Sequence, residues 1–132
     1  MKALVLDTSA VLALLQGEKE ADRILAALAD AEVRRVSAAT VVEAGIVLQA
    51  RYGDHGEREL DLFLERAEVE VIPFSEEHAT VARQAFRRFG KGRHPAALNF
   101  GDCFVYALAV VLDHPLLFVG TDFSATDVPR LE

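Results

Sequence analysis

Ala3-Leu4-Val5-Leu6-Asp7-Thr8-Ser9-Ala10 sets an acid directly behind four apolar residues, with two hydroxyl residues directly behind the acid. Four apolar residues without polar alternation suit a short strand covered on both faces. Thr8 and Ser9 can cap a helix running on through Val11-Leu12-Ala13-Leu14-Leu15, with Gly17 as its stop. Strand, acid and helix follow one another without a linker.

The same alternation continues outward along the chain. Ile24, Leu25 and Leu28 form the apolar stripe of a second helix, and Arg35-Val36-Ser37 reads as a weak strand. Thr40 opens a third helix that ends near Tyr52-Gly53, and Leu60, Phe63, Leu64 and Ala67 recur at helical spacing. Val69-Glu70-Val71-Ile72 is a strand closed by Pro73, after which Ser75 caps a helix with Val81, Ala82, Ala85, Phe86 and Phe89 on its core face. Residues 89–99 read as a loop from their Gly and Pro content, Asn99 caps a helix through Asp113, and Pro115 opens a last strand, Leu116-Leu117-Phe118-Val119. Strands alternating with helices predict an α/β protein, a three-layer α/β/α sandwich with a mainly parallel central sheet, as one domain over residues 1–132.

Composition narrows the class. Apolar residues make up 52% and charged ones 27%, which suits a folded globule and excludes a disordered tail. No apolar run approaches the roughly 18 to 20 residues that span a bilayer. Asp7 interrupts the apolar amino-terminal stretch, so that stretch is not read as a signal peptide and a cytoplasmic location is expected. Cys103 is alone and reads as a small buried helix residue. The four histidines, at 55, 78, 94 and 114, lack ligand-like pairing, which argues against zinc.

The informative acids are the isolated ones. Asp7 is the only charge between Lys2 and Glu18, and Glu43 the only one between Arg35 and Arg51. Apart from His94 and His114, Asp102 stands alone between Arg93 and Asp113, and Asp122 between Asp113 and Asp127. A carboxylate in apolar surroundings is costly unless it is paired, hydrogen-bonded or ligating a metal. Asp7 and Asp122 each follow a predicted strand at its carboxyl end, where open α/β sheets bind ligands. Glu43 and Asp102 lie in the first turns of two apolar helices, which face the same edge. Four acids packed together would raise one another's pKa, and a divalent cation removes that conflict. Hard oxygen donors of this kind suit Mg²⁺ or Mn²⁺.

Local roles compete with this. Thr40-Val41-Val42-Glu43 matches a capping box, and Asn99-Phe100-Gly101-Asp102 puts an acid where a helix dipole favours it. Asp7 or Asp122 could also close an Asx turn or cap a helix, though a site explains an acid at a strand end better. The joint placement of all four favours a site.

Four stretches together resemble one family. Leu4–Ala10, Ser37–Ala44, Leu98–Ala109 and Leu116–Val128 are similar, in content and order, to the motifs of PIN-domain ribonucleases, specifically the VapC toxins of bacterial toxin–antitoxin pairs. The resemblance implies a parallel-sheet fold, Mg²⁺ or Mn²⁺ dependence, and hydrolysis of RNA to 5′-phosphate and 3′-hydroxyl ends. It also implies a homodimer and a cognate VapB-type antitoxin covering the site. It places Asp7, Glu43, Asp102 and Asp122 at the metal-binding positions, and Thr8 or Ser9 where a hydroxyl lines the site. Asp127 is a peripheral candidate, and Tyr106 reads as core packing.

A net charge of −7 argues against a nucleic-acid partner. Metal would offset it locally, and Arg83, Arg87, Arg88, Lys91 and Arg93 gather five of the 14 basic residues just before the Asp102 helix. Arg87, Lys91 and Arg93 are candidate contacts to the RNA backbone. The competing reading is that bases at a helix end complement its dipole. Phosphoaspartyl chemistry fits poorly, because position 9 is Ser rather than a second acid. A PIN nuclease acting in RNA processing without an antitoxin, and a non-catalytic PIN-like binding module, are the alternatives.

Overall fold

The computed structural model describes residues 2–131. Strand β1 (Ala3–Leu6) is followed by helices α1 (Thr8–Leu15) and α2 (Ala21–Asp30), then β2 (Val33–Ser37). Helices α3 (Ala38–Tyr52) and α4 (Asp54–Arg66) lead to β3 (Val69–Ile72), and α5 (Glu76–Phe89) and α6 (Phe100–Leu112) to β4 (Leu116–Leu117). The four strands pair in parallel in the order β3-β2-β1-β4.

Strand β1 is buried along its whole length because both faces of the sheet are covered. Leu4 and Leu6 point into one core with Ile24, Leu28, Ala44, Leu48 and Leu60 from α2, α3 and α4. Val5 points the other way, into a core with Ala85, Phe89, Val105 and Leu108 from α5 and α6. The alternation of β1 side chains thus divides the molecule into the three layers expected. Helices α3 and α4 cross so closely at Gly56 that a Cβ there would sit 2.5 Å from the Leu48 carbonyl oxygen.

Several elements begin or end differently from their sequence signals. Asp7, not Thr8 or Ser9, is the N-cap of α1, its carboxylate accepting the Ser9 amide at 3.0 Å. Helix α3 starts at Ala38 under a Ser37 cap, two residues before Thr40. Thr40 Oγ1 is left buried without a partner, and Glu43 is too deep in the helix to close a box. Ser75 and Asn99 cap α5 and α6 as expected. Strand β4 stops at Leu117, because the Val119 amide turns to Ser9 Oγ at 2.9 Å instead of extending a ladder. Leu25 and Phe86 lie on the margins of their helical stripes and are exposed, not core.

Candidate metal centre

Strand order makes β1 the pivot of the sheet. The chain leaves it toward β2 and β3 on one side and returns as β4 on the other. The carboxyl end of β1 is therefore the topological switch point, where open parallel sheets place ligands. Asp7 is the residue at that point. It is 6% exposed, and its Oδ2 accepts from the Ser9 amide and from Ser9 Oγ at 2.5 Å. Its amide in turn donates to the Leu117 carbonyl at 3.0 Å, tying it to the neighbouring strand. Burial raises the Asp7 pKa above the usual carboxylate value, the Ser9 hydrogen bonds oppose the rise, and the charge of Glu43 adds to it.

Glu43 reaches Asp7 from α3. Its Oε1 accepts a very short hydrogen bond from Thr8 Oγ1, a contact spanning 35 positions of sequence. Its carboxylate also lies against the first turn of α6, where a Cβ on Gly101 would overlap it. That close approach requires glycine beside Asp102, and a glycine inside the first turn of an apolar helix is the sequence signal for it.

Asp102 and Asn99 form a reciprocal capping box. The Asn99 side chain accepts the Asp102 amide at 2.9 Å, and Asp102 Oδ2 accepts the Asn99 amide at 3.0 Å. The local role read from the sequence is thus real, but it does not exhaust the residue. Burial pushes the Asp102 pKa to about 6 against the pull of the Asn99 amide, and the charges of Asp7, Asp122 and Glu43 all contribute to the rise. One carboxyl group feels the other three acids, which places all four in a shared field.

Asp122 does not end a strand as its sequence position suggested. It is exposed, in a turn beyond β4 in which the Ser124 amide donates to the Thr121 carbonyl at 3.0 Å. Asp127 belongs to the scaffold of the same segment. It accepts from Tyr106 Oη at 2.5 Å and from Arg88 at 3.1 Å, and the Tyr106 bond, then Arg88, hold its pKa low. Tyr106 is core, as expected, with its phenol pushed up to about 12 by burial and Asp127. Cys103 is buried, and its thiol is raised by burial and by Asp102.

Among the described residues, no three acidic, His or Cys side chains stand in a ready metal-ligating group. Asp7, Glu43 and Asp102 are each turned to a local donor: Ser9, Thr8 and the Asn99 amide. The chemistry of the set nevertheless fits a divalent cation. Its donors are all hard oxygens, and Asp7 and Asp102 have raised pKa values that a cation would reverse.

The basic segment has divided duties. Arg88 is committed to Asp127 and the Phe89 ring, and Arg93 lies over the Phe86 ring at 5.6 Å. Arg87 occupies the last turn of α5, where the dipole reading also holds, and Lys91 is exposed. Arg83 and Arg87 line a groove of about 550 Å³ between α5 and α6, with Phe74, Phe86, Phe100 and Phe104.

A family model described as "PIN domain" matches residues 4–129. "Ribonuclease VapC" of Mycolicibacterium smegmatis is 50% identical over 125 residues, covering 95% of this chain and 97% of that protein. The crystal structure of Mycobacterium tuberculosis VapC20, described as a sarcin-ricin loop cleaving toxin, superposes with a TM-score of 0.79 at 18% identity, over 98% of both chains. A toxin–antitoxin complex from Klebsiella pneumoniae matches with a TM-score of 0.73 at 21% identity, over 94% of this chain and 92% of that one. No helix among the described residues is long and apolar enough to cross a membrane.

Proposed function

Because the chain belongs to the PIN-domain family, and within it to the VapC ribonucleases, we propose that it is an Mg²⁺- or Mn²⁺-dependent endoribonuclease and the toxin of a toxin–antitoxin pair. The observation that carries the chemistry is the convergence at the end of β1: Thr8, next to Asp7, bonds Glu43, and the Glu43 carboxylate packs against Gly101, next to Asp102. Asp7, Glu43, Asp102 and Asp122 are the metal-holding residues in this reading.

A divalent cation held by Asp7, Glu43, Asp102 and Asp122 would lower the pKa of a water and offset the negative charge of the phosphate. The protein supplies placement. Ser9 fixes the Asp7 carboxylate with two hydrogen bonds and Thr8 fixes Glu43 with one, so both acids are oriented before anything binds. Asn99 holds Asp102 by the capping box, which engages one carboxylate oxygen and leaves the second outside it. In this reading Arg87, Lys91 and Arg93 would meet the RNA backbone.

The relatives' names favour the toxin reading over an antitoxin-free PIN nuclease or a non-catalytic module. A VapB-type antitoxin is the expected partner, in a cytoplasmic setting, by analogy with the toxin–antitoxin complex of like fold. Val42 and Ile46 on α3 and Phe100 on α6 are exposed at 62%, 64% and 80%, which gives a homodimer apolar area to bury.

Incubation of the purified chain with a mixed RNA pool tests the reaction. Fragments with 5′-phosphate and 3′-hydroxyl ends should form in Mg²⁺ or Mn²⁺, and EDTA or Asp7→Asn should abolish them. Fragments ending in 2′,3′-cyclic phosphate, or undiminished cleavage in excess EDTA, would overturn the mechanism.

A further inference from the structure

Asp122 differs from the other three acids in its support. Asp7 rides on a central strand, and Glu43 and Asp102 on long helices, but Asp122 sits in an exposed turn with neither beneath it. Something else must hold that turn if its carboxylate is to stay with the others.

The carboxyl-terminal tail does so. The Leu116 amide donates to the Pro129 carbonyl at 2.8 Å, and Leu116 and Arg130 form a parallel bridge, so the tail backbone is anchored on β4. From that anchor the Arg130 side chain folds back over the Asp122 turn. Its Nη2 donates to three consecutive-turn carbonyls: Phe123 at 3.4 Å, Thr126 at 3.1 Å, and Ser124 in a very short contact. The Thr126 hydroxyl adds an internal brace, donating to the Phe123 carbonyl at 2.8 Å. Phe123 is itself buried against Phe118. The strand that anchors Arg130 also pairs with β1, whose end carries Asp7. The supports of Asp7 and Asp122 therefore meet on one sheet edge.

We propose that Arg130 is a positioning residue of the metal site, acting through the Phe123–Thr126 carbonyls to hold Asp122 within reach of Asp7, Glu43 and Asp102. This rests on the reading of Asp122 as a metal ligand. All three contacts run through the one Nη2, which the planar guanidinium carries in a fixed direction over the turn, whereas a lysine ammonium sits on a freely rotating stem. Groups that orient a metal ligand typically change affinity by about 10- to 100-fold when removed.

The experiment is a calorimetric Mn²⁺ titration, without RNA, of the wild type, Arg130→Ala, Arg130→Lys, Asp122→Asn and the Arg130→Ala/Asp122→Asn double variant. Amide exchange of the metal-free proteins is followed in parallel. Arg130→Ala should weaken Mn²⁺ binding about tenfold and speed exchange at Ser124 and Thr126, with Arg130→Lys in between. In the Asp122→Asn background the same substitution should cost little more, because its effect passes through that carboxylate. A purely structural role would instead lower thermal stability and leave the folded protein's Mn²⁺ affinity unchanged. If Asp122→Asn weakens binding while both Arg130 variants bind like wild type, or if the two losses add fully, the positioning role is refuted. If Asp122→Asn itself leaves binding intact, the ligand assignment fails first and this inference with it.

Discussion

Asp102 meets two demands with one carboxylate: it closes the first turn of α6, and it carries a pKa raised to about 6 by burial and the charges of Asp7, Asp122 and Glu43. In the unfolded chain an aspartate titrates near about 3.9. Between those values the folded protein binds more protons than the unfolded one, so metal-free stability falls as pH rises from about 4 to about 6. Asp7 is shifted in the same direction and adds to the effect. Asp102→Asn keeps an acceptor for the Asn99 amide while removing one titration. Its metal-free melting temperature should fall less steeply over this interval than that of wild type. Equal slopes would mean that the raised pKa does not belong to Asp102. Gly101 offers a second test at the same scale. In Gly101→Ala the new methyl displaces the Glu43 carboxylate, the end of a flexible side chain, while alanine favours the helix by about 0.5–1 kcal/mol. The melting temperature should therefore stay within a few degrees of wild type, and Mn²⁺ affinity should drop severalfold. Unchanged affinity would remove Glu43 from the site.

At the scale of elements, caps decide where each acid points. Glu43 fits a capping box by spacing, but α3 begins two residues earlier than Thr40 suggests, and the carboxylate is released toward Thr8. Ser37→Ala should cost about 1 kcal/mol in urea denaturation, the usual worth of an N-cap hydroxyl. Thr40→Val should cost nothing or stabilise, because the hydroxyl it removes is buried without a partner. The reverse ranking would restore the capping reading of Glu43. These cases mark what local sequence carries. Strand β1 was legible because all four of its residues are apolar, and the α6 start because Asn99 and Asp102 lie three apart, as a box requires. The end of β4 was not legible, since Phe118 and Val119 are as apolar as Leu117 and only the distant Ser9 hydroxyl diverts the chain. Leu25 and Phe86 keep helical spacing but sit at the edges of their stripes, where periodicity cannot distinguish core from margin. The Thr8–Glu43 bond and the grip of Arg130 on the Asp122 turn join residues whose pairing no local pattern records.

At the scale of the whole molecule, the sheet order puts Asp7 at the switch point, and Asp102 feels the charges of Asp7, Asp122 and Glu43, in a chain of net charge −7. That charge repels RNA unless it is offset near the site. In the proposed reading a bound divalent cation would be the offset, and Arg87 and Lys91 would meet the phosphate backbone. Family membership and fold agree on a ribonuclease of this type, and the division of labour among the acids is the central claim. Its most direct measurement is a Mn²⁺ titration of the RNA-free protein and of Asp7→Asn, Glu43→Gln, Asp102→Asn and Asp122→Asn, each checked for native melting. Each substitution should weaken binding by at least about tenfold, or about 1.4 kcal/mol. Wild-type affinity in the folded variants would contradict a single cation centre built from these four residues.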